Sequence, residues 1–452
     1  MTLLSAVFIA YALALVALGL WVGRAVRHSA DFFVAGRSLG PGLLFSTFLA
    51  ANVGAGATIG ATGYAYTDGM AAWWWNGSAG LGSLVLAFWI GPRIWREAKR
   101  HGFLTVGDFL EHHFGRGVRT LAAALLWLGS FWILCAQLKA AAEVLARVSN
   151  LSPSIGALLV SLATAAYFVL GGLVSAARVN VVQLTVKLVG FACAAFVAAD
   201  LTGGLQMAST SGLEFWRGST VGWPTVFVLA PAFFLSPGLL QKAFGARDEH
   251  ALRRGISWQA FALLIFAWLP VLLGLAARTL HPSLDRADQA LPTLLSADLP
   301  KWVGGLGLAA VLSATMSAAD AVLFMLSTSG ARDFYQGVFR PEATDAELLR
   351  AARVVAVVAA LVGYGLTFMF DSVAGPLTFF YSLMVVTLFA PILGGLYFPQ
   401  AGRWAALAAM LVGVATFFAT MFSTGGAGYG WASPSFLGLV TSGLTYLLLA
   451  VF

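Results

Sequence analysis

Long apolar stretches, separated by short segments that are charged or rich in proline and glycine, follow one another along almost the entire chain. A membrane-spanning helix needs roughly 20 consecutive residues of this kind. The stretches that qualify run approximately over residues 3–23, 41–67, 70–92, 119–146, 152–172, 175–200, 224–245, 255–278, 302–330, 350–370, 374–398, 403–422 and 433–451. The pattern predicts an all-α integral membrane protein with about 13 transmembrane helices.

The composition excludes an ordinary soluble enzyme. Hydrophobic residues make up 60% of the 452 residues and charged residues only 10%, whereas charged residues make up about 25% of a typical soluble domain. So few charged side chains cannot cover the surface of a soluble body of this size, but a bilayer accepts apolar surface. The apolar stretches also leave no room for a separate soluble domain of normal size.

The distribution of basic residues predicts the orientation in the membrane. If the first residue lies outside, 19 of the 26 Lys and Arg residues, Lys242 among them, fall in inward loops and 5 in outward loops, while Lys139 and Lys187 lie within spans. Because cytoplasmic loops are enriched in Lys and Arg, we expect an outside N-terminus, a cytoplasmic C-terminus and a location in the cell inner (plasma) membrane. Basic residues spread in this way form no nucleic-acid-binding stripe, so we expect no nucleic-acid partner.

Residues that carry out covalent chemistry are scarce in the predicted spans. A membrane enzyme needs histidines or carboxylates that converge within the bilayer, and the spans offer Asp320 but none of the six histidines. No glycine-rich phosphate-binding loop followed by lysine supports ATP-driven transport. A solute sensor usually carries an appended signalling domain, and the last predicted span runs to the end of this sequence. We therefore expect a protein that is not an enzyme.

The second and seventh stretches each carry residues that interrupt a helix. The second has glycines at positions 54, 56, 60 and 63, and each glycine inside a helix costs about 1 kcal/mol relative to alanine. The seventh has prolines at positions 224, 231 and 237 and a glycine at 238, and an interior proline removes a backbone hydrogen bond. Close packing of small residues would also explain the glycines. Two interrupted helices at equivalent places in two sets of five nevertheless indicate an inverted-repeat secondary transporter.

Five segments resemble signatures of the sodium:solute symporter family and occur in that family's order. They are DFFVAGRSLGPGLLFSTFLAANVGAGATIGATGYAYTDG (31–69), GFLTVGDFLEHHFG (102–115), GGLVSAARVNVVQ (171–183), LLQKAFGARDEHALRRG (239–255) and ATMSAADAVLFMLSTSGARDFY (314–335). The resemblance implies a LeuT-type fold with a 5+5 inverted-repeat core. Its first five-helix repeat would cover residues 31–200 (spans 2–6) and its second residues 201–400 (spans 7–11). An extra N-terminal helix with its loop would occupy residues 1–30, and two extra C-terminal helices residues 401–452.

The resemblance also implies a function, which is secondary active transport: Na⁺, bound as the coupling ion, drives symport of a small organic solute by alternating access. In this family, oxygens at the break of span 2 and on span 9 bind the ion. The matching groups in this chain are the backbone carbonyls of Ala50, Val53 and Ala314 and the hydroxyl of Ser317. Oxygen ligands suit a hard cation, and a helix break frees carbonyls from their intrahelical partners.

Two departures from the family pattern concern this sodium site. Ala318 stands where the family usually has a second hydroxyl, and Asn180 stands where it commonly has an acid. Asp320 adds a carboxylate on span 9, and Lys187 lies two turns after Asn180 on the same helix face. Because a charge within the membrane requires a partner, Asn180, Lys187 and Asp320 are ion-coupling candidates. A proton-coupled or ion-independent carrier, in which Lys187 and Asp320 substitute for the sodium site, is therefore the alternative function.

The solute is expected beside both helix breaks. The positions that match the family's contacts, with the polar or open positions beside the breaks, are Asn52, Gly54, Thr58, Asn76, Gln137, Phe233, Phe234 and Thr378. No arginine among them can bind a carboxylate through two parallel hydrogen bonds, which favours a neutral or cationic solute. Tryptophans 73–75 are equally typical of an aromatic belt at the membrane interface. We expect a monomer surrounded by membrane lipid, with a small-molecule solute that the sequence does not identify.

Overall fold

The computed structural model describes residues 3–149, 151–203, 214–218, 220–370 and 373–451. Within these ranges a helix, or a pair of consecutive helices, occupies each apolar stretch that the sequence predicts to span the membrane. Nine helices in the described part of the chain are long and apolar enough to cross a membrane, or up to ten if a bent pair counts as one span. The all-α membrane architecture is confirmed, while the number of thirteen crossings stays a prediction.

The helices follow one another with short connections. They are α1 Leu3–Gly23, α2 Ser29–Val34, α3 Pro41–Asn52, α4 Ala61–Asp68, α5 Trp73–Val85, α6 Gly91–His101, α7 Val106–Phe114, α8 Arg116–Ser149, α9 Pro153–Val169, α10 Gly172–Leu201, α11 Val226–Leu235, α12 Pro237–Phe244, α13 Glu249–Phe266, α14 Trp268–Leu280, α15 Ala290–Thr293, α16 Lys301–Ser329, α17 Asp345–Leu366, α18 Ala374–Tyr397, α19 Gly402–Ser423 and α20 Pro434–Val451. Large apolar side chains such as Phe196 (77% exposed) and Ile265 (72% exposed) project from the outer surface. A surface of this kind suits lipid.

The second apolar stretch breaks in its middle, as its glycines predict. Helix α3 ends at Asn52, and Val53 then leaves the helical conformation with φ −94° and ψ 78°. Helical structure resumes at Gly56 with a turn of wider, π-type hydrogen bonding that leads into α4. The helices before and after this break are bent by 63°. At the break, side chains of other helices therefore serve as partners for the carbonyls of Ala50 and Val53 and for the backbone N–H of Ala55.

The seventh stretch breaks at a single residue. Helix α11 ends at Leu235, Ser236 adopts an extended conformation with φ −53° and ψ 120°, and α12 begins at Pro237. Proline pushes the residue before it towards extended conformations and fits the first position of a helix, where no N–H is needed. Pro237 therefore explains the break, whereas Pro231 lies inside α11. Both of the interrupted helices predicted from the sequence are present.

Two of the segments that resemble the family meet at the end of the bundle predicted to be cytoplasmic. Nη2 of Arg119 lies 2.9 Å from Oδ1 of Asp333, and Nε of Arg332 lies 3.0 Å from Oδ1 of Asp108. These ion pairs join α7 and α8 to the turns that follow α16. They hold that end of the helices together.

Candidate functional site

A cavity lies between the two helix breaks. It encloses about 630 Å³, counting the part that opens to solvent. Asn52 and Gly54 line it from the first break, and Ser236 and Gly238 line it from the second, with Gln137 of α8 between them. Most of the remaining wall is apolar and comes from α11, α16 and α18. Irregular backbone at membrane depth is tolerated where it lines a cavity of this kind.

Half of the predicted solute contacts line this cavity. They are Asn52, Gly54, Gln137 and Phe233. The cavity wall does not include Thr58, Asn76, Phe234 and Thr378. On span 11 the lining residues are Phe380 and Tyr381, which lie two and three residues beyond Thr378, and the ring centroid of Tyr381 lies 5.7 Å from that of Phe233. The solute contacts of span 11 stay a prediction.

Thr58 and Asn76 stabilise the first break instead of facing the cavity. The hydroxyl of Thr58 donates to the carbonyl of Gly54 at 2.8 Å. The side-chain amide of Asn76 donates to the carbonyl of Ala57 at 2.9 Å. Buried backbone groups need hydrogen-bond partners, so the fold alone accounts for these two polar side chains.

Gly54 allows α8 and α16 to pack directly on the break. A Cβ atom at this position would lie 2.5 Å from the Cβ of Ala318 and 2.9 Å from Oε1 of Gln137. The same Oε1 accepts a hydrogen bond from the backbone N–H of Ala55 at 2.8 Å. Glycine is thus required at position 54 because neighbouring side chains fill the space that a larger residue would take.

The amine of Lys187 occupies the position predicted for Na⁺. Its Nζ donates to the carbonyls of Ala50 at 2.9 Å and Val53 at 3.2 Å. It also donates to the hydroxyl oxygen of Ser317 at 2.5 Å. Lys187 is fully buried. Three of the four predicted sodium ligands therefore bind an ammonium group, which has three hydrogens to donate.

The fourth predicted ligand, the carbonyl of Ala314, lies 3.0 Å from the hydroxyl oxygen of Ser317. That hydroxyl oxygen is also 2.8 Å from the carbonyl of Ala50. Ala318 supplies no oxygen from its side chain. The predicted cluster of oxygens is therefore present and converges, with Ser317 at its centre and Lys187 bound to it.

The other two ion-coupling candidates lie nearby without contacting Lys187. Oδ2 of Asp320, one turn after Ser317 on α16, accepts a hydrogen bond from the hydroxyl of Tyr167 at 3.0 Å. Oδ1 of Asp320 has no hydrogen-bond partner among the described residues. Asn180 donates to the hydroxyl of Thr47 at 3.3 Å. The structure thus brings the predicted carboxylate and amine into one buried region, where each has its own partners.

Lys242 is a further charged group that the sequence analysis placed wrongly in a loop. It lies in α12, is 1% exposed and lines the cavity. Its Nζ donates to the carbonyl of Thr47 at 3.1 Å. The sequence already indicated that Lys242 lies within a membrane span, because position 242 falls inside the predicted span 224–245 and not beyond it.

Comparisons with known proteins agree with the five family segments. The sequence model of the sodium:solute symporter family matches residues 32–413. The sodium/glucose cotransporter of Vibrio parahaemolyticus is 24% identical over 435 residues, which cover 86% of this chain and 75% of that protein. The sodium/proline symporter of Escherichia coli (strain K12) is 23% identical over 441 residues, which cover 90% of this chain and 86% of that protein.

Solved structures of transporters share the fold. A Na⁺-coupled sialic acid symporter, in a substrate-bound outward-open state, aligns with 100% of this chain and 98% of its own, with a TM-score of 0.87 and 16% identity. Mhp1, a nucleobase-cation-symport-1 family transporter, aligns with 93% of each chain, with a TM-score of 0.60 and 16% identity. The LeuT-type fold is therefore confirmed, whereas the role as a membrane transporter, and not an enzyme, follows from the family match. Since the family's sequence model spans residues 32–413, the chain belongs to the sodium:solute symporter family.

Proposed function

We propose that this chain carries a small organic solute across the plasma (cell inner) membrane by alternating access, and that protonated Lys187 takes the role of the sodium ion. The observation that carries the proposal is the position of Nζ, within 3.2 Å of the carbonyls of Ala50 and Val53 and of the hydroxyl of Ser317. The solute binds in the cavity between the two breaks. The N-terminus lies outside and the C-terminus in the cytoplasm, as the distribution of basic residues predicts.

Lys187 and Na⁺ cannot share this position. Both would need the same oxygens, and two unit charges about 4 Å apart repel by about 4 kcal/mol at an effective dielectric constant of about 20. The alanine at position 318 weakens the site for Na⁺ further, since it removes an oxygen that the family usually supplies. These two features support a carrier whose coupling ion is not Na⁺.

A proton on Lys187 replaces the mechanical effect of a bound ion. The ammonium group joins the break after α3 to Ser317 on α16, and alternating access requires these elements to separate. Loss of the proton removes the charge and one hydrogen-bond donor, so the link weakens and the two elements are released. A proton that enters with the solute gains about 2.3 kcal/mol per 100 mV of membrane potential, as a sodium ion would.

Na⁺-coupled symport is the second candidate. The four predicted ligand groups do converge, and the relatives named above are sodium symporters. Na⁺-coupled symport requires the amine of Lys187 to move away from the oxygens of Ala50, Val53 and Ser317 whenever Na⁺ binds. The two candidates therefore differ in how the protein without solute responds to Na⁺.

The test is the melting temperature of the purified protein in NaCl and in KCl at equal ionic strength. We expect the wild type to melt at the same temperature in both salts, because the oxygens already bind Lys187. Lys187→Ala frees them, so this variant should gain stabilisation that is specific to Na⁺. At a Na⁺ concentration ten times its Kd, that gain corresponds to about 1.4 kcal/mol.

Lys139→Ala is the matched control, because Lys139 is the other lysine predicted within a span and lies outside the site; it should behave as the wild type does. Specific stabilisation of the wild type by Na⁺ would favour Na⁺ symport instead.

Screening a solute library by thermal shift then supplies a substrate for uptake into proteoliposomes. A pH gradient, and not a Na⁺ gradient, should drive accumulation of that substrate.

A further inference from the structure

We infer that the solute is an anion, a small carboxylate with an apolar body, and that Lys242 and Asn52 bind the carboxylate. This inference rests on the transport function proposed above and names the class of its substrate.

Lys242 has donors to spare beside the cavity. An ammonium group can donate three hydrogen bonds, and the carbonyl of Thr47 is the one acceptor within hydrogen-bond distance of Nζ among the described residues. The side chain is 1% exposed and lines the cavity. A buried ammonium group with unused hydrogens is costly unless something pairs with it. A carboxylate oxygen from a bound solute would fill that need.

Two side-chain amides in the cavity wall also have unused donors. Nδ2 of Asn52 is buried and has no hydrogen-bond partner among the described residues. Oε1 of Gln137 accepts from the N–H of Ala55, which leaves the NH₂ end of this lining side chain for a ligand. Unused hydrogen-bond donors are thus present in the polar part of the cavity wall. A solute that offers acceptors, as a carboxylate does, complements them.

The buried charges near the breaks do not balance. In the part of the chain that the structure describes, they comprise the amines of Lys187 and Lys242 and the carboxylate of Asp320, all at most 1% exposed. No ion pair closer than 4 Å links either amine to Asp320 among the described residues. An anionic solute would supply the missing negative charge and would be held more strongly here than in water, because the site excludes solvent.

The rest of the cavity wall is apolar. Ala232, Phe233, Val322 and Tyr381 are among the residues that form it. Apolar and aromatic walls with a few converging polar groups are typical of sites for small organic ligands. The sequence favoured a neutral or cationic solute because no arginine was present; the buried position of Lys242 reverses that preference.

The test is a thermal-shift panel on the purified full-length protein. The probes are butyrate, 4-methylpentanoate and 3-phenylpropanoate, each with its primary amide and the amine of the same carbon skeleton. We expect at least one carboxylate to raise the melting temperature while its amide and amine do not. Lys242→Met should weaken binding of that carboxylate roughly 10- to 100-fold, as expected for the loss of a hydrogen bond between charged groups.

Two variants control the result. Lys139→Met also removes an amine, outside the cavity, and should bind the carboxylate as the wild type does. Asn52→Asp keeps the size of the side chain and repels a carboxylate, so it should also lose the melting shift, and it provides a test if Lys242→Met fails to fold. The inference is overturned if an amide or amine stabilises the protein as well as its carboxylate does, if the Lys242 and Asn52 variants bind as tightly as the wild type, or if no carboxylate raises the melting temperature.

The test of carboxylate binding and the test of the proposed transport function can succeed or fail independently. Carboxylate binding that depends on Lys242, without accumulation in proteoliposomes under any ion gradient, would keep the inference and reject transport. Na⁺-specific stabilisation of the wild type would change the coupling ion and leave the substrate class untouched.

Discussion

Lys187 and Lys242 are both buried amines that donate to carbonyls of the first broken helix, yet their surroundings differ. Lys187 uses all three of its donors on Ala50, Val53 and Ser317 and does not line the cavity. Lys242 donates to one carbonyl, that of Thr47, and lines the cavity. The same side chain at similar depth is therefore satisfied in one place and left with free donors in the other.

This difference separates a structural and coupling role from a ligand-binding role. A fully hydrogen-bonded amine holds together the elements that it joins, because removing it leaves buried acceptors without a donor. An amine with free donors beside a cavity adds little to the stability of the empty protein and has the capacity to bind a solute. Functional residues commonly sacrifice stability in this way. Four predictions test the comparison through the stability of the protein.

Of these variants, Asp320→Asn should lower the free energy of unfolding most. It removes the carboxylate that partly offsets the charges of two buried amines. Removing one partner of a direct buried ion pair destabilises by about 3–5 kcal/mol. Because no ion pair closer than 4 Å joins Asp320 to either amine among the described residues, the loss should lie near the lower end, about 3 kcal/mol. Chemical unfolding in detergent measures the loss. Adding Lys242→Met to this variant should restore at least about 1 kcal/mol, since it removes one of the unbalanced charges. An Asp320→Asn variant as stable as the wild type would show that the amines do not depend on this carboxylate.

Lys187→Met should lower the free energy of unfolding by about 1–3 kcal/mol. Methionine fills most of the volume of the lysine stem, but it leaves the carbonyl of Val53 without its donor and the carbonyl of Ala50 with the hydroxyl of Ser317 alone. Unfolding under the same conditions gives the value, with Lys139→Met as control and an expected change within about 0.5 kcal/mol. Equal stability of the Lys187 and Lys139 variants would contradict the structural role given to Lys187.

Lys187→Ala combined with Ala318→Ser should give a protein that responds to Na⁺ more strongly than Lys187→Ala alone. The serine restores the hydroxyl that the family usually has and completes an oxygen set that suits a hard cation. At ten times its Kd, Na⁺ should stabilise the double variant by about 1.4 kcal/mol, and the Kd should be lower than in the single variant. The melting temperature in NaCl and KCl measures this, and an unchanged Kd would argue against a sodium site at these oxygens.

Lys242→Met should have the smallest effect on the empty protein, within about 0.5 kcal/mol of the wild type. The variant loses one hydrogen bond, but it also removes a buried charge that repels Lys187, so the two changes offset each other. Unfolding in the absence of any solute is the measurement. A loss above about 2 kcal/mol would mean that Lys242 mainly stabilises the fold, contrary to its assignment as a solute ligand.

Much of the candidate site was predictable, and the parts that were not have two causes. The matched segments gave Ala50, Val53 and Ser317, and these atoms do converge. The sequence analysis named Thr378 where Phe380 and Tyr381 line the cavity, because no unbroken motif fixes the alignment of span 11. Lys242 was assigned to a loop because its charge, at the edge of an apolar stretch, resembled a topology signal. Side chains near the end of a span can point to either environment, and sequence alone does not give the rotation of the helix.

The sequence by itself determined that the protein is a membrane protein with two interrupted helices in a recognisable family order. A bilayer requires long apolar stretches, and glycine and proline act on their own local backbone. Both patterns can therefore be recognised from the linear sequence. Only the tertiary structure decided which atoms meet at the breaks. Lys187 reaches Ser317 across 130 residues of sequence and Ala50 across 137. Such contacts depend on how distant helices pack and rotate against one another, which is why an amine in place of an ion, and a second amine beside the cavity, became visible only in the folded chain.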